Sequence, residues 1–196
     1  MRQIGQIKHV QIQRMPLKQG QKPQRYYDPA PILIVEKLVL TPRGVLGILA
    51  TGEQLVDVHN ADHPTSRYAG VNGISFGFTS HYRAMRKRFG AHLTDGCAGE
   101  NILIETADEF RLEALGEHLA LQAQASGQWI HLERLHVAAP CVEFSHFALN
   151  ELLPVPPAIL RETLIFLDQG QRGFYATFVS EVPLALQAGD TVFVEA

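Results

Sequence analysis

The stretch Ile32–Val58, ILIVEKLVLTPRGVLGILATGEQLVDV, decides the fold class. Ile32 to Leu40 is almost wholly aliphatic, enough for one strand or a pair of short ones, and Thr41-Pro42-Arg43-Gly44 closes it as a turn. Val45 to Leu49 and Gln54 to Val58 read as two further short strands, parted by Thr51-Gly52. A chain that turns back on itself this often within 27 residues is building antiparallel sheet.

The flanks continue the pattern. Upstream, Ile4 to Gln13 sets Val10 and Ile12 in alternation with polar residues, a strand with one wet face. Met15 to Pro31, rich in Gln, Lys and Pro, has no apolar period and reads as a long loop, a length that is often functional. Downstream, Ser80 to Phe89 is the clearest helix, with Thr79 or Ser80 expected as its N-cap and Gly90 as its stop. Tyr82, Met85 and Phe89 share one face of it, while Arg83, Arg86, Lys87 and Arg88 occupy the rest and suit the negative end of the helix dipole. Asn101 to Glu105, His118 to Ala123 and Ile130 to Val137 read as strands. Pro156 to Leu167 reads as a second helix, with Ile159, Leu160, Leu164 and Leu167 expected on its buried side. Arg172 to Glu181 and Thr191 to Glu195 are expected as closing strands, joined through Ala188-Gly189-Asp190. Many short strands and two helices predict a mainly β (α+β) fold, β-barrel-like and decorated by a few helices. Regular βαβ alternation is missing, which argues against a doubly wound sheet.

At 196 residues, with no internal repeat and no Ser/Gly-rich linker, the chain reads as one domain spanning 1–196. The longest unbroken aliphatic run, Ile32 to Val35, is far too short to span a bilayer, and the N-terminus does not read as a signal peptide. Two cysteines and no export signal point to free thiols in a reducing compartment, so a cytoplasmic protein is expected. The net charge of −3 conceals an asymmetry: Arg2, Lys8, Arg14, Lys18, Lys22 and Arg25 leave the first 31 residues at +5 and the remainder at −8. This basic N-terminal strand and loop is either a solvated arm or a set of cations facing an anionic ligand. Nucleic acid is disfavoured, because the whole chain is acidic and carries no RNA- or DNA-binding signature.

Two thiols and a histidine cluster are the candidates for chemistry. Cys141 follows Pro140 directly after a strand-like segment. It can be a rigidly held sulfur facing a cleft, fit for metal ligation or persulfide chemistry, or a small buried hydrophobe. Cys97 lies between Gly96 and Gly99 in a loop whose glycines suggest positive φ and close approach of backbone to a ligand; a disulfide between the two is a further alternative. Asp57, His59, Asp62 and His63 form the densest group of potential ligands. Asn60 and Pro64 argue against the helix that would align the two histidines, so a substrate-contacting or solvated loop is favoured over a zinc site. No GxGxxG or P-loop pattern is present.

Four motifs in order resemble the MOSC domain family, named for the C-terminal region of molybdenum cofactor sulfurases. Gly73-Ile74-Ser75-Phe76 with His81-Tyr82 and the basic helix resembles the segment that precedes the family's GEN motif, and Gly99-Glu100-Asn101-Ile102-Leu103-Ile104-Glu105 resembles GEN and its strand. Pro140-Cys141 resembles the Pro-Cys element, and Gly170-Gln171-Arg172-Gly173-Phe174-Tyr175 followed by Gly189-Asp190-Thr191-Val192 resembles the terminal hairpin. The resemblance covers about residues 30 to 196 and is to a stand-alone, bacterial-type member. It implies a β-barrel-like fold and a cysteine that either ligates the molybdenum of a pterin cofactor or carries sulfur. Carried over, Cys141 is the catalytic residue and metal ligand; Gly99, Glu100 and Asn101 shape the adjacent loop; Arg172 lies near the pterin phosphate. In relatives such as the mitochondrial amidoxime-reducing component the cofactor supports reduction of N-hydroxylated compounds. Two departures stand. Where many members show Gly-x-x-Gly-Asp followed by Arg and His, this chain has Gly44-Val45-Leu46-Gly47 running into Ile48, with His59 and His63 downstream as the substitute cofactor contacts. The extra N-terminal barrel of the larger reductases is also missing.

The expectation is therefore a molybdenum-cofactor-dependent oxidoreductase acting on a small molecule, served by a redox partner. The alternatives are a sulfur carrier that receives a Cys141 persulfide from a cysteine desulfurase, and a non-enzymatic binding module. Exposed strand edges allow a homodimer.

Overall fold

The computed structural model describes residues 1–150 and 155–195. In chain order the elements are β1 (Arg2–Gln13), β2 (Lys18–Gln19), β3 (Tyr26–Tyr27), β4 (Ile32–Val35), β5 (Lys37–Thr41), β6 (Gly44–Ile48), β7 (Gln54–Val56), β8 (Ile74–Phe78), α1 (Thr79–Phe89), β9 (Ile102–Glu105), α2 (Leu112–Leu115), β10 (His118–Gln122), β11 (Trp129–Val137), α3 (Val142–Leu149), α4 (Pro157–Asp168), β12 (Phe174–Thr177), β13 (Leu184–Leu186) and β14 (Thr191–Val194).

Seven strands close a β-barrel in the order β14-β10-β11-β12-β8-β9-β1, with β1 returning to β14. Closure removes the edges that an open sheet would leave unpaired. β1 is long enough to serve three neighbours in succession: Arg2 to Gln6 pair with β14, Gln6 to Val10 with β9, and Val10 to Gln13 with β4. The opening stretch forms an antiparallel meander, β5-β6-β7, to which β13 adds beside β5. β2 and β3 make a small hairpin inside the N-terminal loop.

The one parallel pair among the described strands, β8 with β9, positions the site. Parallel neighbours require a crossover, and α1 with the loop after it supplies one. β9 is apolar at three successive positions because both its faces are covered. Ile102 and Ile104 point into the barrel core with Phe76, Phe78 and Phe174, whereas Leu103 joins an outer cluster with Tyr27, Tyr82, Met85, Phe144 and Leu167 beneath the helices. On β8 the inward positions are Ile74, Phe76 and Phe78; Ser75 and Gly77 meet the residues that open β9.

Several sequence expectations change. The residue before α1 is Phe78, which makes no side-chain cap; the Thr79 hydroxyl instead donates to Thr106 O at 3.2 Å and accepts from Thr106 N at 3.1 Å. On α4 the buried residues are Thr163 and Leu167, while Ile159 faces solvent. β12 and β14 are no hairpin: β10 and β11 lie between them in the barrel, and the segment after β12 makes β13 instead. α2 and α3 add to the two expected helices.

Candidate functional site

The loop that ends the crossover, Gly96 to Asn101, is gripped from all sides. Four consecutive carbonyls each accept a side-chain donor, and the four donors come from three parts of the fold: Gly96 O from Gln11 Nε2 (2.8 Å), Cys97 O from the Tyr27 hydroxyl (2.8 Å), Ala98 O from Arg172 Nη2 (3.4 Å) and Gly99 O from Gln13 Nε2 (2.6 Å). Gly96 and Gly99 both have positive φ, at 84° and 86°, as expected for the loop. A Cβ on Gly99 would stand 2.6 Å from both Gln13 Nε2 and Leu17, so glycine is required there by space as well as by dihedral.

Asn101 is a structural tie. Its Oδ1 accepts from Ser75 N (3.0 Å) and Ser75 Oγ (2.9 Å), and its Nδ2 donates to Gln11 O (3.3 Å) and Asp57 Oδ2 (3.1 Å). Asp57, fully buried, also accepts from Gln13 N at 2.7 Å, and its other oxygen accepts from His59 N at 2.8 Å and faces His59 Nδ1 at 3.1 Å. The Asp57 carboxylate thereby fixes the ring of His59, leaving Nε2 free of this contact.

His59 opens onto a cleft of about 430 Å³ lined by Gln13, Pro16, Leu17, Lys18, Arg25, Tyr27, Val58, Thr65, Arg67, Arg172 and Tyr175. Four of these are cationic and none is acidic. A smaller cavity of about 10 Å³ shares Gln13, His59, Arg172 and Tyr175 with the cleft and adds Gly99 and Glu100 to the wall. Glu100 is buried; loss of water pushes its carboxyl up to about 7, against its own backbone amide and the Tyr82 hydroxyl, which donates to Oε2 at 2.8 Å.

Cys141 is the residue before α3, partly exposed, and its Sγ accepts from Phe144 N at 3.4 Å as an N-cap. It is not in the cleft wall, but the first turn of α3 meets three residues of that wall. The Tyr27 ring lies 5.0 Å from the Phe144 ring, the Arg172 guanidinium lies 5.6 Å from that same ring, and Glu143 pairs with Arg25. Burial alone would raise the Glu143 carboxyl; its own backbone amide and Arg25 outweigh that and hold it below the usual value. Cys97 is different: it is buried, and loss of water pushes its thiol well above the ordinary range. Both thiols are free, which replaces the disulfide alternative.

Of the residues singled out from sequence, Gly99, Glu100, Arg172 and His59 therefore meet around two connected cavities, with Cys141 beside them. Asn101 faces the fold. His63 is turned to Arg14 O at 3.2 Å, and Asp62 pairs with Arg43 at 3.0 Å, so the Asp57–His63 cluster does not converge. Among the described residues no group of three or more His, Cys, Asp or Glu is placed to hold a metal. Of the six N-terminal cations, Lys18 and Arg25 line the cleft, while Lys8 is spent on Asp95. Arg67, Thr65, Tyr27 and Tyr175 are cleft residues that motif reasoning did not single out. Tyr175 stood within the Gly170–Tyr175 motif; nothing local marks Arg67.

No family model matches the chain, and no curated protein matches it. Among solved structures, it is similar to the YUAD protein from Bacillus subtilis, with a TM-score of 0.56 at 14% identity over 98% of this chain and 96% of that one. It is also similar to a protein described only as hypothetical, with a TM-score of 0.50 at 10% identity over 96% of this chain and 67% of the other. At these identities the likeness shows the fold. No helix among the described residues is long and apolar enough to cross a membrane.

Proposed function

We propose that this chain is a MOSC-type protein that binds a molybdenum pterin, with Cys141 as the protein's ligand to the metal, and that it acts as an oxidoreductase on a small N-hydroxylated or related compound. One observation carries the reading: a cleft with four cations and no carboxylate in its wall lies against the helix turn that begins at a partly exposed cysteine. The donor set fits such a group. A single soft sulfur suits a metal whose other ligands come from the cofactor itself. Lys18, Arg67 and Arg172 suit a phosphate, with Arg172 able to meet it through paired N–H groups, while Arg25 is already paired with Glu143. His59, held by Asp57, and Tyr175 stand where they can orient an organic ring.

When bound, a molybdenum pterin supplies two-electron transfer, the chemistry that reduction of an N–O bond requires. This chain's own part is to hold the cofactor and to keep the His59 ring in one orientation through Asp57. Electrons would come from a separate redox partner. The partial exposure of Cys141 also favours a second reading, sulfur transfer, since a persulfide must be reached by a donor such as a cysteine desulfurase.

The test is composition. Protein purified from a cofactor-competent host should carry molybdenum and pterin in near-equal amounts with the chain, and Cys141→Ala should lose the metal. Metal retained in full by Cys141→Ala, or none in the native protein, overturns the ligation. In that event, a sulfur adduct on Cys141 by intact mass after desulfurase treatment supports the carrier reading.

A further inference from the structure

Glu100 uses only one of its two carboxyl oxygens. Oε2 accepts from Tyr82, whereas Oε1 has no partner among the described residues, although the side chain is buried. Oε1 has space because residue 77 is glycine: a Cβ there would sit 3.0 Å from it. Glu100 contributes instead to the wall of the small cavity, together with Gln13, Ser75 and Arg172. A volume of about 10 Å³ stands at the lower bound of what admits a single water, and this wall offers the several polar partners such a water needs. Arg172 lines the same wall, and its Nε is also buried without a partner among the described residues. An unused acceptor and an unused donor around a one-water space are what an internal bridging water satisfies.

The small cavity shares Arg172 with the cleft, so whatever Glu100 does to that guanidinium is felt by a ligand in the cleft. We propose that the cleft takes up its anionic ligand together with one proton, that the proton resides on Glu100, and that Glu100 meets Arg172 through a water in the small cavity. The proposal rests on the cleft being an anion site. As a carboxylate, Glu100 competes for Arg172 and repels the incoming anion; as an acid, it leaves Arg172 to the ligand. Binding and protonation are then linked by the same factor in either direction. Burial, which pushes the Glu100 carboxyl up to about 7, places the exchange near neutral pH.

The groups facing Glu100 are Tyr82 from α1, Tyr27 from β3, Asp95 and Cys97 from the preceding loop, Arg172 from the turn before β12, and His59 across the cavity. Burial pushes Tyr82, Tyr27 and Cys97 upward, so all three are neutral at ordinary pH. Asp95 is a carboxylate: although burial opposes its charge, Lys8 and Arg86 hold it below the usual range. His59 is the other ionisable side chain in that wall besides Arg172, Glu100 and Tyr175, and His59→Gln separates its part from that of Glu100.

Sulfate is a suitable probe because it does not change charge between about pH 5.5 and about pH 8.5. Titrated calorimetrically into the intact protein, it should bind about tenfold more tightly at the lower pH. Glu100→Gln should bind it equally at both, and His59→Gln should keep the native ratio. Native affinity that ignores pH, pH dependence that survives in Glu100→Gln, or dependence lost only in His59→Gln each overturns the proton assignment while sparing the anion cleft. Sulfate that binds at neither pH removes the cleft reading itself. Should Glu100→Gln fail to fold, the carboxyl ¹³C signal of Glu100 in the native protein decides: its titration midpoint should rise with sulfate, and an unmoved midpoint overturns the proposal.

Discussion

Asn101 illustrates how the fold beside a cavity can depend on one buried amide. It is 1% exposed and its amide engages Ser75, Gln11 and Asp57 on three separate segments, one of which carries His59. Asn101→Ala strips a buried acceptor from the Ser75 amide and hydroxyl and a donor from a fully buried carboxylate. Orphaned buried groups cost on the order of 1–3 kcal/mol each, so a loss of about 3 kcal/mol is expected in urea denaturation. Asn101→Asp should be worse, because it sets a second carboxylate against Asp57; a cost below about 1 kcal/mol for either variant would refute this account. The Gly99-Glu100-Asn101 run was visible in the sequence as a unit. Its division of labour was not: glycine for space, glutamate for the cavity wall and asparagine for the tie are set by β1, β8 and the Asp57 loop, all distant in sequence. Cys141 was legible only as a position, since the contacts of its helix turn with Tyr27, Arg25 and Arg172 depend on α3, the N-terminal loop and the turn before β12 folding onto one another.

Among the elements, strands were the easier reading because a covered face imposes a two-residue period that composition preserves. β11 shows both the strength and the limit of that signal. Ile130 and Leu132 belong to the core, and then Leu135 and Val137 pack against it, so the period slips by one residue. The slip is a bulge, seen as a register shift between Glu133 and His136, and Arg134 absorbs it with φ of 54°. It brings His136 against Tyr175 of the cleft, with ring centroids 5.4 Å apart. A non-glycine residue there carries strain on the order of 1 kcal/mol. Arg134 is exposed, so Arg134→Gly should raise stability by about 0.5–1 kcal/mol in chemical denaturation, and Arg134→Val should lower it. A destabilising Arg134→Gly would mean that the bulge is not strained. Helix α3 escaped the sequence reading for the opposite reason: it has only eight residues, and its cap is a cysteine, which is no part of the usual capping vocabulary. The β12–β14 hairpin expectation failed because order along the chain does not determine order around a barrel.

At the scale of the whole molecule, two buried groups oppose each other in acid. His81 in α1 is 1% exposed, faces Phe110 O at 2.9 Å and packs against Phe78 and Phe174; burial lowers its titration from 6.5 to about 4. The unfolded chain therefore binds this proton first, and stability falls as pH drops from 6.5 towards 4. Glu100 works the other way: burial raises its carboxyl from 4.5 to about 7, so the folded state keeps a proton that the unfolded chain releases. Stability on its account falls as pH rises from 4.5 towards 7. Between about pH 4.5 and about pH 6.5 the two slopes, each about 1.4 kcal/mol per pH unit, have opposite sign and cancel. The native protein should therefore show only a shallow dependence across that window, with a residual climb towards its upper end from half-buried His9, whose titration burial also lowers. Glu100→Gln removes one side of the balance, and its stability should climb with pH by roughly 3 kcal/mol over the same interval. Carboxylates held low by cationic partners, such as Asp62 beside Arg43 and Glu143 beside Arg25, keep their contribution until below the window, so they do not blur it. Denaturation midpoints measured at half-unit steps decide the matter, since parallel profiles for the native and Glu100→Gln proteins would show that Glu100 carries no buried proton.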